Sequence, residues 1–141
     1  MQNKNTLNME RKDPVEEARR YVNNAKDLLV NHGDLDFETQ TYTDRKYVRM
    51  AGNTLWNGVL YILNKTFNIQ KRKGCRLSID DYRVIVGQRD RKLLSWVNQG
   101  YDILHLSMGY DGIQNKDICN SGFHVANEII DWCEKTMKKI A

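Results

Sequence analysis

The most informative stretch of the chain is residues 44–68, which read DRKYVRMAGNTLWNGVLYILNKTFN. Apolar residues recur along it at steps of three and four, the spacing of an α-helix, and they form two stripes. The first stripe is Val48, Ala51, Leu55, Val59 and Ile62, and the second is Trp56, Leu60, Leu63 and Phe67. A helix with so wide an apolar arc packs on two neighbours, so we predict a helix at the centre of a bundle.

Two glycines interrupt this predicted central helix, Gly52 and Gly58. Each costs about 1 kcal/mol relative to alanine in a helix interior. We interpret both as places where a neighbouring helix approaches closely.

The chain before the central helix predicts one more long helix. Asp13-Pro14 is a favourable start, because Asp is a preferred N-cap and Pro suits the first helical position. The spacing then predicts a buried seam of Val15, Ala18, Val22, Ala25 and Leu29. We expect Gly33 to end the helix in the left-handed conformation. Residues 34–42 read as a loop, with Thr41 or Thr43 capping the central helix.

The chain after the central helix predicts three further helices. A basic loop at residues 70–77 leads to Ser78, which can open a short helix ending near Gly87. A long helix over residues 90–108 and a last one over residues 115–140 follow, separated by a glycine turn. We find no strand-like alternation. The fold class predicted is all-α, an up-and-down helical bundle of four long helices and one short helix, in a single domain over residues 13–141. Residues 1–12 are expected to be frayed or disordered.

The composition excludes several classes of protein. With 141 residues, 40% of them hydrophobic, the chain is too apolar for a disordered protein. It contains no run of about 18 apolar residues, and its first residues lack the apolar core of a secretory signal. Three cysteines without a CxxC pair fit neither a disulfide framework nor a zinc site. We therefore expect a cytoplasmic protein with no membrane association, no metal and no cofactor.

The net charge of +4 is unevenly distributed. Residues 65–92 carry nine basic and three acidic side chains, whereas residues 93–134 carry one basic and six acidic side chains. These segments could pair within one molecule, between protomers, or with an anionic partner. The residues we consider for binding nucleic acid or another polyanion are Lys71, Arg72, Lys73, Arg76, Arg89, Arg91 and Lys92. A solvated loop is the alternative meaning of this run.

No established catalytic motif occurs in the sequence. A P-loop, a dinucleotide fingerprint, a nucleophile elbow and an EF-hand loop are all missing. The weak catalytic candidates are His105, Tyr110 and Asp111, which bring an imidazole, a hydroxyl and a carboxylate close together. The structural alternative is a Gly109 helix cap followed by an Asp111-Gly112 turn.

Four segments of the chain carry a family resemblance. They are Ala18-Arg19-Arg20-Tyr21, Lys46-Tyr47-Val48-Arg49-Met50-Ala51-Gly52, Trp56-Asn57-Gly58-Val59-Leu60 and Leu104-His105-Leu106-Ser107-Met108-Gly109-Tyr110-Asp111-Gly112. With these segments the chain resembles an uncharacterised family of small bacterial helical-bundle proteins, a domain of unknown function. The resemblance covers roughly residues 13–135 and implies a helical fold.

More distantly, the predicted bundle is similar to HEPN domains, which are helical, often dimeric, and include RNA-cleaving toxins. Their catalytic members carry an Arg followed, after four to six residues, by His. No Arg stands at that spacing before His105, where the residues are Asn98, Gln99 and Gly100, or before His32 or His124. Within that resemblance, a non-catalytic bundle is favoured.

The sequence therefore predicts a non-enzymatic, cytosolic helical bundle that works through protein–protein contacts as a homodimer. The broad apolar arc of the central helix and the opposed charged segments motivate the homodimer. The first alternative is a HEPN-like module that binds RNA or DNA through residues 65–92. The second is an enzyme or small-molecule site near His105.

Overall fold

Helices account for most of the chain in the computed structural model, which describes residues 13–69 and 76–140. The α-helices are α1 (Pro14–His32), α2 (Arg45–Phe67), α3 (Ile79–Arg89), α4 (Arg91–Gly100) and α5 (Lys116–Ile140). A π-helical segment, Tyr101–Tyr110, directly follows α4. Two short strands, β1 (Leu35–Asp36) and β2 (Thr41–Tyr42), lie between α1 and α2. The prediction of an all-α helical bundle is confirmed.

Helix α1 begins and buries its side chains as the sequence predicts. The Asp13 carboxylate accepts a hydrogen bond from the Val15 amide at 2.9 Å, and every residue of the predicted seam is buried. The expected left-handed cap at Gly33 is wrong, because this residue is right-handed and Asp34 has the positive φ, 55°. Glycine is required at position 33 for a different reason. A Cβ there would lie 2.6 Å from the Leu29 carbonyl oxygen.

The segment predicted as a loop between α1 and α2 contains a small β-hairpin. Strands β1 and β2 are antiparallel, with Leu35 opposite Tyr42. The hairpin is held against the start of α5 by backbone hydrogen bonds. The Tyr42 amide donates to the Gln114 carbonyl at 2.8 Å, and the Lys116 amide donates to the Gln40 carbonyl at 3.0 Å. Strands of two residues are too short for alternation to reveal them.

Helix α2 is the central helix, and it packs against α1, the π-helical segment and α5. All of its first apolar stripe is buried, together with Trp56 and Leu63 of the second stripe. The interpretation of both glycines is confirmed. A Cβ on Gly58 would lie 2.6 Å from Tyr21 Cβ of α1, and one on Gly52 would lie 2.5 Å from Met108 Cβ. The N-cap is Asp44 rather than either threonine, since its side chain accepts from the Lys46 amide.

After α2, the start of the short helix is as predicted, whereas the long helix predicted next has a different form. Ser78 and Asp81 form the capping box expected at the start of α3. The helix predicted over residues 90–108 is α-helical only to Gly100 and then widens into the π-helical segment. Gly109 is therefore not a helix cap, because it lies inside that segment. The left-handed residue is Gly112, with φ 65°.

The last helix, α5, completes the core and joins it to α1. Its buried residues include Cys119, Val125, Ile129 and Cys133. Arg19 of α1 pairs with Asp131 of α5 at 2.6 Å. Burial raises the pKa of the Cys133 thiol to about 11, partly offset by a hydrogen bond with Thr66.

Candidate functional site

A cavity of about 440 Å³ opens between α2, α3 and the π-helical segment, and we call it the aromatic cavity. Its volume falls in the range of pockets that bind small molecules, roughly 300–1,000 Å³. The residues that line it are Trp56, Leu60, Asn64, Ile69, Arg76, Leu77, Ile79, Tyr82, Tyr101 and His105.

One wall of the aromatic cavity consists of three rings in mutual contact. The ring centroids of Tyr101 and His105 lie 5.2 Å apart, and the His105 ring lies 6.1 Å from that of Trp56. The rings of Trp56 and Tyr101 meet edge to face at 6.0 Å. Trp56 is only 7% exposed, so the wall rests on the core of the bundle. Such a wall offers π-faces on which a planar ring can stack.

Tyr101 and His105 share this wall because they lie four residues apart in the π-helical segment. Side chains at that spacing project from the same face of a helix, in α-helical turns as in the slightly wider π-helical turns. Their rings lie within contact distance of each other, and both contact Trp56 of α2. π-Helical turns are rare and often occur at functional sites.

Two kinds of polar group complete the aromatic cavity. The Tyr82 hydroxyl donates to Asn64 Oδ1 at 3.0 Å, which leaves the Asn64 amide nitrogen to donate elsewhere. Arg76 lines the cavity and is exposed, and no ion pair or hydrogen bond with another described residue engages its guanidinium. An arginine with free donors can bind a carboxylate or a phosphate in bidentate fashion.

A second arginine stabilises the wall from behind. The Arg83 guanidinium lies 5.2 Å from the centroid of the Tyr101 ring. The same side chain donates to Asn98 of α4 at 2.8 Å and pairs with Asp80 at 3.1 Å. Arg83 thus links α3 to α4 and holds Tyr101 in place, which makes it a positioning residue for the aromatic wall.

One of the three catalytic candidates lines the aromatic cavity. His105 lines the aromatic cavity, whereas Tyr110 is 75% exposed and Asp111 is also exposed, and neither lines the cavity. Asp111 takes part in the turn after the π-helical segment, where its amide donates to the Leu106 carbonyl at 2.8 Å. In the aromatic cavity, His105 is therefore accompanied by Trp56 and Tyr101 rather than by Tyr110 and Asp111.

The other two histidines occupy separate surface positions. His32 stacks on Tyr47 at 4.8 Å, and His124 is exposed, 3.9 Å from Glu128. Within residues 13–69 and 76–140, no three His, Cys, Asp or Glu side chains are grouped so that they could hold a metal ion.

The residues considered for nucleic-acid binding fall into distinct groups. Lys71, Arg72 and Lys73 lie outside the described residues. Arg76 lies at the aromatic cavity, while Arg89, Arg91 and Lys92 are exposed around the junction of α3 and α4. The Lys92 ammonium lies over the Trp96 ring at 5.2 Å. The length of α3, 11 residues or about 16 Å, separates the two described groups.

The apolar arc of α2 and part of the acidic segment make contacts within a single chain. Both stripes of α2 pack against α1, α5 and the π-helical segment, so they do not by themselves call for a second copy. Two residues of the acidic segment, Asp131 and Glu134, approach Arg19 of α1. The homodimer stays a prediction, and its interface would have to be formed by a surface other than the apolar arc of α2.

Sequence reasoning missed most of the aromatic cavity. The sequence places Trp56 in an apolar stripe of the central helix, and Tyr101 lies within the helix predicted over residues 90–108. Tyr82 was placed in the short helix, and Asn64 gave no signal. The contact between His105 and Trp56 joins two helical elements that are distant in sequence, and apolar periodicity within one helix does not reveal such a contact.

Comparison with known proteins places this architecture in a family. The family model described as a domain of unknown function (DUF5618) matches residues 13–135. The chain belongs to this family. The match includes every residue that lines the aromatic cavity, so the cavity lies within the family domain. The resemblance found in the sequence is thereby confirmed.

A solved structure shares the same fold. A protein of unknown function from Dyadobacter fermentans is 41% identical, with a TM-score of 0.80, and the match covers 86% of this chain and 94% of that chain. The curated proteins gave no match. Among the described residues, no helix combines the length and apolar character required to cross a bilayer.

Proposed function

We propose that the protein is a non-enzymatic binding module whose aromatic cavity holds a small ligand with a planar ring and an anionic group. The observation that carries this proposal is the combination of a three-ring wall with an exposed guanidinium, that of Arg76, which no other described residue engages. A purely apolar ligand would not pair with the Arg76 guanidinium, and a purely anionic ligand would not stack on the rings.

The chemistry of the lining defines the ligand class more closely. A heteroaromatic ring stacks on Tyr101 and His105. The Asn64 amide nitrogen, which donates to no other residue of the described chain, donates to acceptors on the edge of that ring. Arg76 binds the anionic group through charge-assisted hydrogen bonds. A nucleoside monophosphate has all three features. It is the probe we select, because its phosphate can be removed to give a matched compound.

The test is a fluorescence titration of the full chain with adenosine monophosphate, adenosine and inorganic phosphate. Ring stacking beside Trp56 should quench tryptophan emission, and Trp56→Phe should abolish that response although Trp96 and Trp132 remain. We expect the monophosphate to bind more tightly than adenosine, and phosphate alone to give no quenching. The absence of quenching by both ring compounds would contradict the proposal.

The role of Arg76 has a matched control. Arg76→Ala should remove most of the monophosphate's advantage over adenosine, a loss of roughly tenfold or more, as for hydrogen bonds between charged groups. Arg89→Ala makes the same change of charge outside the aromatic cavity and should leave the advantage intact. Equal losses in the two variants would indicate a nonspecific charge effect.

Nucleic-acid binding is the second candidate, favoured by the exposed group Arg89, Arg91 and Lys92. Its test is binding of single-stranded RNA by the full chain as the salt concentration is varied. Each phosphate contact contributes a slope of about −0.7 to log K against log salt. Changing these three residues to Glu should flatten the slope. The matched control changes Lys135, Lys138 and Lys139 to Glu and should not.

A further inference from the structure

An exposed aromatic side chain on an ordered turn marks one surface of the molecule. Phe37 is 78% exposed, the highest value among the large hydrophobic residues of the described chain. The turn that carries it is fixed, because the Asp36 carboxylate accepts from the amides of Glu38 at 2.9 Å and Thr39 at 3.4 Å. Aromatic side chains presented in this way are typical anchors of protein interfaces.

A groove of about 460 Å³ lies between α1 and α5, and we call it the α1/α5 groove. Its apolar part includes Leu29, Phe123 and the 70%-exposed Val30. Its polar part consists of Arg19, Asn23, Lys26, Asn120 and Asn127. An apolar centre with polar surroundings is the usual anatomy of a protein interface.

The charges of the groove and of the turn are complementary. Arg19 is already paired with Asp131, whereas Lys26 is exposed and has no carboxylate within ion-pair distance in the described part of the chain. The turn carries Asp36 and the exposed Glu38 on either side of Phe37. A basic, apolar groove and an acidic, aromatic turn therefore occur on the same molecule.

Their positions allow reciprocal docking. Tyr42 of β2 lines the α1/α5 groove and pairs with Leu35, close to the turn in the same hairpin. A two-fold axis beside the hairpin would bring each turn to the groove of the other copy, in an interface that buries the same surface on both.

We propose that the protein forms a homodimer in which Phe37 of each copy occupies the α1/α5 groove of the other, with Glu38 facing Lys26. This interface shares no residue with the aromatic cavity, so it stands independently of the proposed ligand. Self-association is thus explained by the turn and the α1/α5 groove. The apolar arc of α2 does not contribute, because other helices of the same chain cover it.

The first test is sedimentation velocity of the full chain over a range of concentrations. We expect a reversible dimer. Phe37→Ala should raise its dissociation constant at least about tenfold, as the loss of an interface anchor does. Val84→Ala removes another exposed apolar side chain, from α3, and should have no effect. A monomer at about 100 µM, or a Phe37→Ala dimer as tight as the parent, would overturn the proposal.

The second test exchanges the charges and does not depend on removing Phe37. Lys26→Glu and Glu38→Lys should each weaken self-association, because each homodimer then opposes like charges at both grooves. Mixing the two variants should restore dimers, since every groove–turn pair in the mixed dimer combines opposite charges. If both variants are weakened but the mixture stays monomeric, Glu38 does not face Lys26 and the arrangement is wrong.

Discussion

At the scale of single residues, Gly52 permits the closest approach between α2 and the π-helical segment. A Cβ there would lie 2.5 Å from Met108 Cβ and 2.7 Å from the Gly109 amide nitrogen. Backbone atoms at that distance cannot move aside as the end of a flexible side chain can. The position of Gly52 thereby fixes how α2 meets the element that carries Tyr101 and His105.

We predict that Gly52→Ala lowers the free energy of unfolding by about 1–3 kcal/mol, the usual cost of overpacking, although alanine favours a helix. Gly87→Ala is the matched control in α3, where an added Cβ meets only Leu94 Cδ2 at 3.2 Å. That substitution should be neutral or stabilise by up to about 1 kcal/mol. Urea denaturation measures both changes. A Gly52→Ala protein as stable as the parent would show that the two elements can separate cheaply.

The buried thiols lead to a prediction about pH. Burial raises the pKa values of Cys119 and Cys133 from 9.0 to about 11, because the thiolate is disfavoured away from water. The folded state therefore binds these protons more tightly than the unfolded state. Their contribution to stability is complete below pH 9 and is lost as the pH rises to 11 and above.

We expect the free energy of unfolding to fall above pH 9, by up to about 2–3 kcal/mol for each thiol. Cys133→Ala should remove the share of that pH dependence that belongs to Cys133, which urea denaturation between pH 8 and pH 11 can measure. Rapid alkylation of Cys133 in the native protein at pH 8 would contradict the prediction, because it would require an accessible thiolate.

At the scale of elements, Asp90 separates α3 from α4. Its amide donates to the Val86 carbonyl at the end of α3, and its carboxylate accepts from the Leu93 amide at 2.8 Å at the start of α4. One residue thus ends a helix and caps the next, which sets the angle between them and places Arg83 of α3 beside Asn98 of α4.

We predict that Asp90→Ala costs about 1 kcal/mol of stability, the usual value of an N-cap. Asp80→Ala removes a carboxylate from an exposed ion pair of α3 and should cost no more than about 0.5 kcal/mol. Thermal unfolding followed by circular dichroism compares the two variants. Equal losses would mean that the Asp90 cap contributes nothing beyond its charge.

The elements also show which parts of the fold could be predicted from sequence. Helix α1 and the central position of α2 followed from apolar spacing and from Asp13-Pro14, since both signals are local. The hairpin did not, because its position depends on hydrogen bonds to residues 114–116 far along the chain. The π-helical segment did not either. Leu104 and Met108, its fully buried residues, are spaced as in an α-helix.

At the scale of the whole molecule, three elements form the candidate site, and their positions relative to one another could not be predicted from the sequence. The sequence offers His105 as a candidate site residue, but Trp56 and Tyr82, which line the same cavity, lie on α2 and α3. The sequence neighbours Tyr110 and Asp111 turned out to be exposed. Spatial neighbours on separate helices can be found only once the packing of those helices is known.

The bundle also divides its surfaces between two proposed roles. The aromatic cavity lies between α2, α3 and the π-helical segment, whereas the α1/α5 groove lies between the first and last helices. Since the two share no lining residue, ligand binding and self-association can be changed separately by substitution.

The most direct test of the aromatic cavity is a nuclear magnetic resonance titration of the ¹⁵N-labelled full chain with adenosine monophosphate. We expect saturable shifts of the Trp56 indole N–H and of the amides near Tyr101 and His105, with the α1/α5 groove unaffected. Shifts confined to that groove or to the α3–α4 junction, or no shifts at all, would contradict a ligand site in the aromatic cavity.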